Sequence, residues 1–110
     1  MTKEEIYIIF VAGIDFGIKH GFFPSVSILD LHEKLTRKKT KSVKSVTYTV
    51  MIAGFNYGSN LRTEKPNEEY IKTIFENLIE GKPLESDDNS YYAIKEKIQE
   101  ILTDEKETTT

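Results

Sequence analysis

The sequence predicts an all-α fold of about five helices, arranged as two stacked helix-loop-helix units followed by a C-terminal helix. Three observations carry this. Apolar residues recur at three- and four-residue spacing along most of the 110 residues. Gly21, Pro24, Pro66, Gly81 and Pro83 stand where those runs stop. A short motif, Phe10–Gly17 (FVAGIDFG), returns 41 positions later as Met51–Gly58 (MIAGFNYG). The alternative is an α+β fold with a short hairpin formed by residues 22–28 and 45–52.

The first helix starts near Thr2 or Lys3, with Thr2 as cap and Glu4 and Glu5 favourable in the first turn. From Ile6 to Ile14 it is apolar almost all round, the mark of a buried helix, and Gly21 ends it. A second helix, capped by Ser25 or Ser27, places Ile28, Leu31 and Leu35 on one face and dissolves into Thr36–Lys41. The third segment is rich in β-formers, which keeps the strand reading open. Against it, Val43, Val46, Val50, Ala53 and Tyr57 step by three and four, a helical seam that continues to about Asn60.

Asn67 caps a fourth helix in which Tyr70/Ile71, Ile74/Phe75 and Leu78/Ile79 recur every four residues. After the acidic loop Glu85–Asp88, Asn89 or Ser90 opens a last helix with Tyr91, Ile94, Ile98 and Ile101 inward. Residues 1–102 thus form one helical domain. The polar stretch 103–110 has no apolar residue and is expected to be disordered.

In the repeated motif Ala12/Ala53, Gly13/Gly54 and Gly17/Gly58 are identical. The helix after each copy follows suit, with Ile28, Leu31 and Leu35 mapping onto Ile71, Ile74 and Leu78. Duplication and convergence on one packing solution both account for so short a match. The glycines themselves have a physical meaning. Each costs about 1 kcal/mol relative to alanine inside a helix, and removing Cβ at four-residue spacing opens a groove for another helix backbone. Gly13, Gly17, Gly54 and Gly58 are therefore helix-packing residues, either between the first and third helices or across a homodimer.

Net charge is −3, unevenly spread. Residues 1–63 hold nine Lys/Arg against five Asp/Glu, and residues 64–110 six against thirteen. Lys34, Arg37, Lys38, Lys39, Lys41 and Lys44 fall in eleven residues with no acid among them. Such a stretch is a contact surface for an acidic protein partner or nucleic acid, or else a solvated connector. The run from Ile6 to Ile18 is thirteen residues and includes Asp15, too short and too charged to cross a bilayer. Two carboxylates lead the chain where a signal peptide needs a basic start. No membrane association and a cytoplasmic location are the expectations, and the absence of cysteine fits a reducing compartment.

Catalytic, cofactor and metal motifs are missing. His32-Glu33 begins like a zinc-protease helix, but Thr36 stands where the second histidine belongs, and His20 is the other histidine of the chain. GIDFGIKHG lacks the Gly-Lys-Ser/Thr ending of a phosphate loop. Ser42, Ser45 and Ser90 have no histidine at motif spacing. Asp15 interrupts an apolar helix and, if buried, needs Lys19 or Arg62 as a partner. No enzymatic activity, metal or cofactor is expected.

The stretch SILDLHEKLTRKKTKSVKSVTYTV resembles a helix-turn-helix, with Leu31 and Leu35 on its first helix and Val43 and Val46 holding its second. That resemblance implies a DNA-binding regulator presenting Thr40, Lys41, Ser42, Lys44 and Ser45 at the front of a recognition helix. It departs from the pattern at Thr36, where glycine is usual, and at Arg37 and Lys38, where a small apolar residue is usual.

Phe10, Ala12, Gly13 and Gly17, echoed by Met51, Ala53, Gly54 and Gly58, form an F-x-A-G-x-x-x-G helix in a cysteine-free, Lys/Glu/Ile/Tyr-rich chain. In this the chain resembles small accessory proteins of tailed-phage genomes. The resemblance implies a non-enzymatic protein that binds and inhibits or redirects a host or defence protein by occupying its surface.

Overall fold

The computed structural model describes residues 1–20, 26–61, 64–80 and 95–102. Of these residues 84% are helical and none lies in a strand. The helices are α1 (Lys3–His20), α2 (Val26–Thr36), α3 (Lys41–Ser59) and α4 (Glu68–Ile79), with a further helical stretch, α5, over residues 95–102. Residues 45–52 lie within α3, so the hairpin alternative is set aside. Its other arm before Val26 lies outside the described residues, as do Gly21, the acidic loop, Asn89, Ser90, Tyr91, Ile94 and the stretch 103–110.

Local chemistry sets the helix ends. Thr2 and Glu5 form a reciprocal capping box: the Glu5 amide donates to Thr2 Oγ1 at 3.1 Å, and the Thr2 amide donates to Glu5 Oε1 at 3.1 Å. Thr40 caps α3 by accepting from the Val43 amide at 3.3 Å. Asn67 caps α4 by accepting from the Tyr70 amide at 2.9 Å. The Met1 ammonium donates to the Ile101 carbonyl at 3.1 Å, placing positive charge on the carbonyl end of α5.

The β-formers of α3 are reconciled with a helix in two ways. Thr47 and Thr49 turn their hydroxyls back onto the carbonyls of Lys44 and Ser45, both at 3.1 Å, so neither competes with the helix for donors. The seam Val46, Val50, Ala53 and Tyr57 is buried, and burial of an aliphatic side chain, worth roughly 1.5–3 kcal/mol, outweighs a propensity deficit of a few tenths.

What the seam is buried against is α1, the dominant helix contact of the fold. A Cβ at Gly13 would overlap the Met51 carbonyl oxygen and come within 3.0 Å of the Phe55 nitrogen. One at Gly54 would overlap the Phe10 carbonyl oxygen and come within 3.2 Å of the Ile14 nitrogen. Gly17 meets the Phe55 carbonyl, and Gly58 meets that of Ile14, in the same manner. The two glycine pairs thus face each other inside one chain, and exchanging each residue with its mate 41 positions away maps one set of contacts onto the other.

The same exchange extends to the second helices, which carry an offset of 43. His32 of α2 meets Tyr48 of α3 edge-on at 5.3 Å and 78°; Phe75 of α4 meets Tyr7 of α1 at 5.1 Å and 65°. Glu33 pairs with Lys44 at 2.9 Å; Glu76 pairs with Lys3 at 2.7 Å. Four pairwise contacts from two stretches of sequence obey one pseudo-twofold relation, in which each unit lays its second helix on the first helix of the other.

Three expectations change. α1 is not buried all round, because Ile8 is 51% exposed while Ile6, Ile9, Phe10 and Ile14 form the core. The buried face of α2 runs through Ile28, His32 and Thr36, leaving Leu35 38% exposed; residues four apart on a helix share a face, and that stripe is the one α3 covers. Asp15 is exposed at its carboxylate and pairs with Lys65 at 2.6 Å rather than with Lys19, while Arg62 lies outside the described residues. A surface carboxylate needs no buried partner.

Candidate functional site

The α2–α3 turn gathers the cations singled out in the sequence. Thr36 closes α2: buried, it donates its hydroxyl to the His32 carbonyl at 2.7 Å, and its own carbonyl receives the Lys39 amide at 2.9 Å. The chain then reverses through residues 37–40 into the Thr40 cap, and the Lys44 amide reaches back to the Thr40 carbonyl at 2.9 Å. Both sides of the turn are pinned by backbone hydrogen bonds.

Two of the six cations are engaged. Lys39 reaches Glu5 on α1 at 3.3 Å, and Lys44 bridges to both carboxylate oxygens of Glu33 at 2.9 and 3.2 Å. The Lys44 hydrogen bond holds the Glu33 carboxyl below its ordinary value. Glu5 is held low first by the Thr2 amide and then, against a burial effect in the other direction, by Lys39. Lys34, Arg37, Lys38 and Lys41 are exposed and have no ion-pair partner among the described residues. The amino end of α3 adds its partial positive charge beside them.

Of the residues that the helix-turn-helix resemblance sends outward, Lys41, Ser42 and Ser45 are exposed, while Thr40 is used as a cap and Lys44 is half-buried in its bridge. Gly13, Gly17, Gly54 and Gly58 are occupied in the α1–α3 crossing. A separate open groove of about 490 Å³ runs beside α1, lined by Tyr7, Ile8, Val11, Ala12 and Ile71 with the Asp15–Lys65 pair at its rim.

Sequence reasoning weighed His32 only as a metal ligand. It is 7% exposed, and its Nε2 lies 2.8 Å from Thr47 Oγ1. The signal that could have found it is the 43-residue offset, which sets His32 opposite Phe75 and so predicts a packed ring. Among the described residues no three His, Cys, Asp or Glu side chains gather as a metal site, and no helix is long and apolar enough to cross a membrane. No protein-family model matches the chain, and no curated protein or solved structure matches it either.

Proposed function

We propose that this is a non-enzymatic binding protein whose α2–α3 turn docks on an acidic surface of another protein. The observation that carries the reading is the set of four exposed cations, Lys34, Arg37, Lys38 and Lys41, on the α2–α3 turn and the helix ends that flank it, held by the Thr40 cap, a buried threonine and two ion pairs. A turn already held in one shape loses little conformational entropy on binding. Unpaired cations steer an oppositely charged partner toward it and set its register. The resemblance to phage accessory proteins makes the partner a host or defence protein, inhibited in the cytoplasm by having its surface occupied.

A second reading, duplex DNA, draws on the polar stripe Lys41, Ser42, Ser45 and Thr49, all exposed along the front of α3. Titration of labelled duplex at low and high salt separates the two. Salt-steep duplex binding would replace the protein-partner reading, whereas a stoichiometric complex with a protein from host lysate, lost when the four cations become glutamine, supports it.

A further inference from the structure

We propose that His32 is a proton-operated release for the packing of α2 on α3, holding the two helices together when neutral and loosening them when it gains a proton. The geometry of its hydrogen bond fixes which ring nitrogen carries a proton. Thr47 spends its hydroxyl proton on the Lys44 carbonyl at 3.1 Å, so Thr47 Oγ1 faces His32 as an acceptor. The group at 2.8 Å must then be an Nε2–H donor, which the neutral imidazole with its proton on that nitrogen and the imidazolium both supply, so the surroundings of the ring decide between them.

The surroundings oppose a second proton. His32 is 7% exposed, and its ring stands edge-on to Tyr48. In the pseudo-equivalent place on α4 the chain uses Phe75, which meets Tyr7 in the same edge-on manner. The site is thus built for an uncharged ring, and one half of the molecule fills it with a titratable one. The charges that reach His32 are Glu33 on its own helix and Lys44 on α3; Tyr48 is the remaining titratable neighbour. Glu33 and Lys44 are bound to each other at 2.9 Å, so their opposite effects on the ring partly cancel and burial dominates. Burial, opposed by the attraction of Glu33 and aided to a smaller extent by the repulsion of Lys44, pushes the His32 pKa below its ordinary 6.5.

The sign follows from linkage. Above the ordinary value of 6.5 both docked and undocked forms are neutral, and docking is at full strength. As pH falls below it, the undocked helix takes the proton first, and the docked form loses ground by up to about tenfold per pH unit until its own lower pKa is reached. The turn joining α2 to α3 carries Lys34, Arg37 and Lys38 on one side and Lys41 on the other, so undocking also alters their spacing. That consequence for binding rests on the proposed function; the proton step does not.

The test uses the intact chain. The two histidine ring resonances are followed by NMR from pH 8 to 4.5, with H20Q assigning His32. Hydrogen exchange, corrected for intrinsic rates, is measured in parallel for the α2 amides of residues 28–36. His32 should titrate below its free value, and α2 protection should fall several-fold between pH 7 and 5 while that of α1 holds. H32F, which copies the other half, should keep α2 protection constant across that window. Titration of His32 at or above its free value, or unchanged α2 protection in the parent chain from pH 7 to 5, overturns the proposal. So does an equal loss in H32F. If H32F does not fold, the parent and H20Q measurements decide alone. Failure to bind any acidic partner at every pH would sink the binding reading and leave these readouts untouched.

Discussion

Gly13 and Gly54 are reciprocal partners: the Cβ that Gly13 lacks would strike the main chain at Met51, and the one that Gly54 lacks would strike it at Phe10, the residue 41 positions before Met51. Gly17 and Gly58 repeat the relation one turn along. The obstacle in each case is backbone, which cannot move aside as a flexible side chain can.

Alanine should therefore be unwelcome at these positions although it is the better helix former. Gly13→Ala and Gly54→Ala should each destabilise by about 1–3 kcal/mol net of propensity, with leucine worse. Because both act on one crossing, the double variant should lose less than the sum of the singles. Urea unfolding of the four proteins measures this. An unchanged midpoint in either alanine variant would mean that α1 and α3 do not meet at backbone contact.

The pseudo-twofold relation is imperfect, and the exception is measurable. Leu35 and Leu78 are sequence mates, yet Leu35 is 38% exposed and Leu78 is fully buried. Leu78→Ala should cost about 2–5 kcal/mol, as core truncations do, while Leu35→Ala should cost well under half as much. Equal costs in thermal unfolding would show that the two halves are packed alike and that the α2 face is misplaced.

These contrasts show which parts of the fold were legible in the sequence. Caps at Thr2 and Asn67 and the seam from Val46 to Tyr57 depend on a few neighbouring residues, and spacing alone places them. The facing glycines were legible as close-packing residues, but whether their groove was filled from within the chain or by another copy was not, since spacing says nothing of the partner. Leu35 looked inward because hydrophobicity favoured it over His32 and Thr36. Those two polar residues are instead buried, each with a hydrogen bond: His32 Nε2 to Thr47 and the Thr36 hydroxyl to the His32 carbonyl. Asp15 pairs with Lys65 across fifty residues, a distance over which no local pattern informs. The basic stretch was legible as charge; that Lys39 and Lys44 are engaged and four others are not is a property of the folded turn alone.

At acid pH, stability should report on the α1 cap. Glu5 is held below its ordinary value of 4.5, so its contribution is complete above that value and disappears as pH falls through its lower folded pKa. With a side chain 41% exposed, the contribution is small, under about 1 kcal/mol. E5Q should have a flatter melting temperature between pH 5 and 3 than the parent. Superimposable pH profiles would remove Glu5 from the account.

The last prediction concerns the turn. Lys34, Arg37, Lys38 and Lys41 are to be replaced together by glutamine, leaving Lys39 and Lys44 in their ion pairs and the buried stripe of α2 intact. The fold should survive, and stability should stay level or rise slightly, because four crowded like charges with no ion-pair partner among the described residues repel one another. Circular dichroism and urea unfolding check that first. If the turn docks on an acidic protein surface, the variant should associate with its partner at least tenfold more slowly at low salt, with a smaller change in dissociation, since steering acts on encounter. Raising the salt should slow the parent and leave the variant nearly unaffected. If the target is duplex DNA instead, the logarithmic salt slope of the parent should fall by about 0.9 for each phosphate contact removed. A variant that binds its partner with unchanged rates at low salt would show that the four cations are only solvated, and the function would have to be sought on another face, beginning with the groove beside α1.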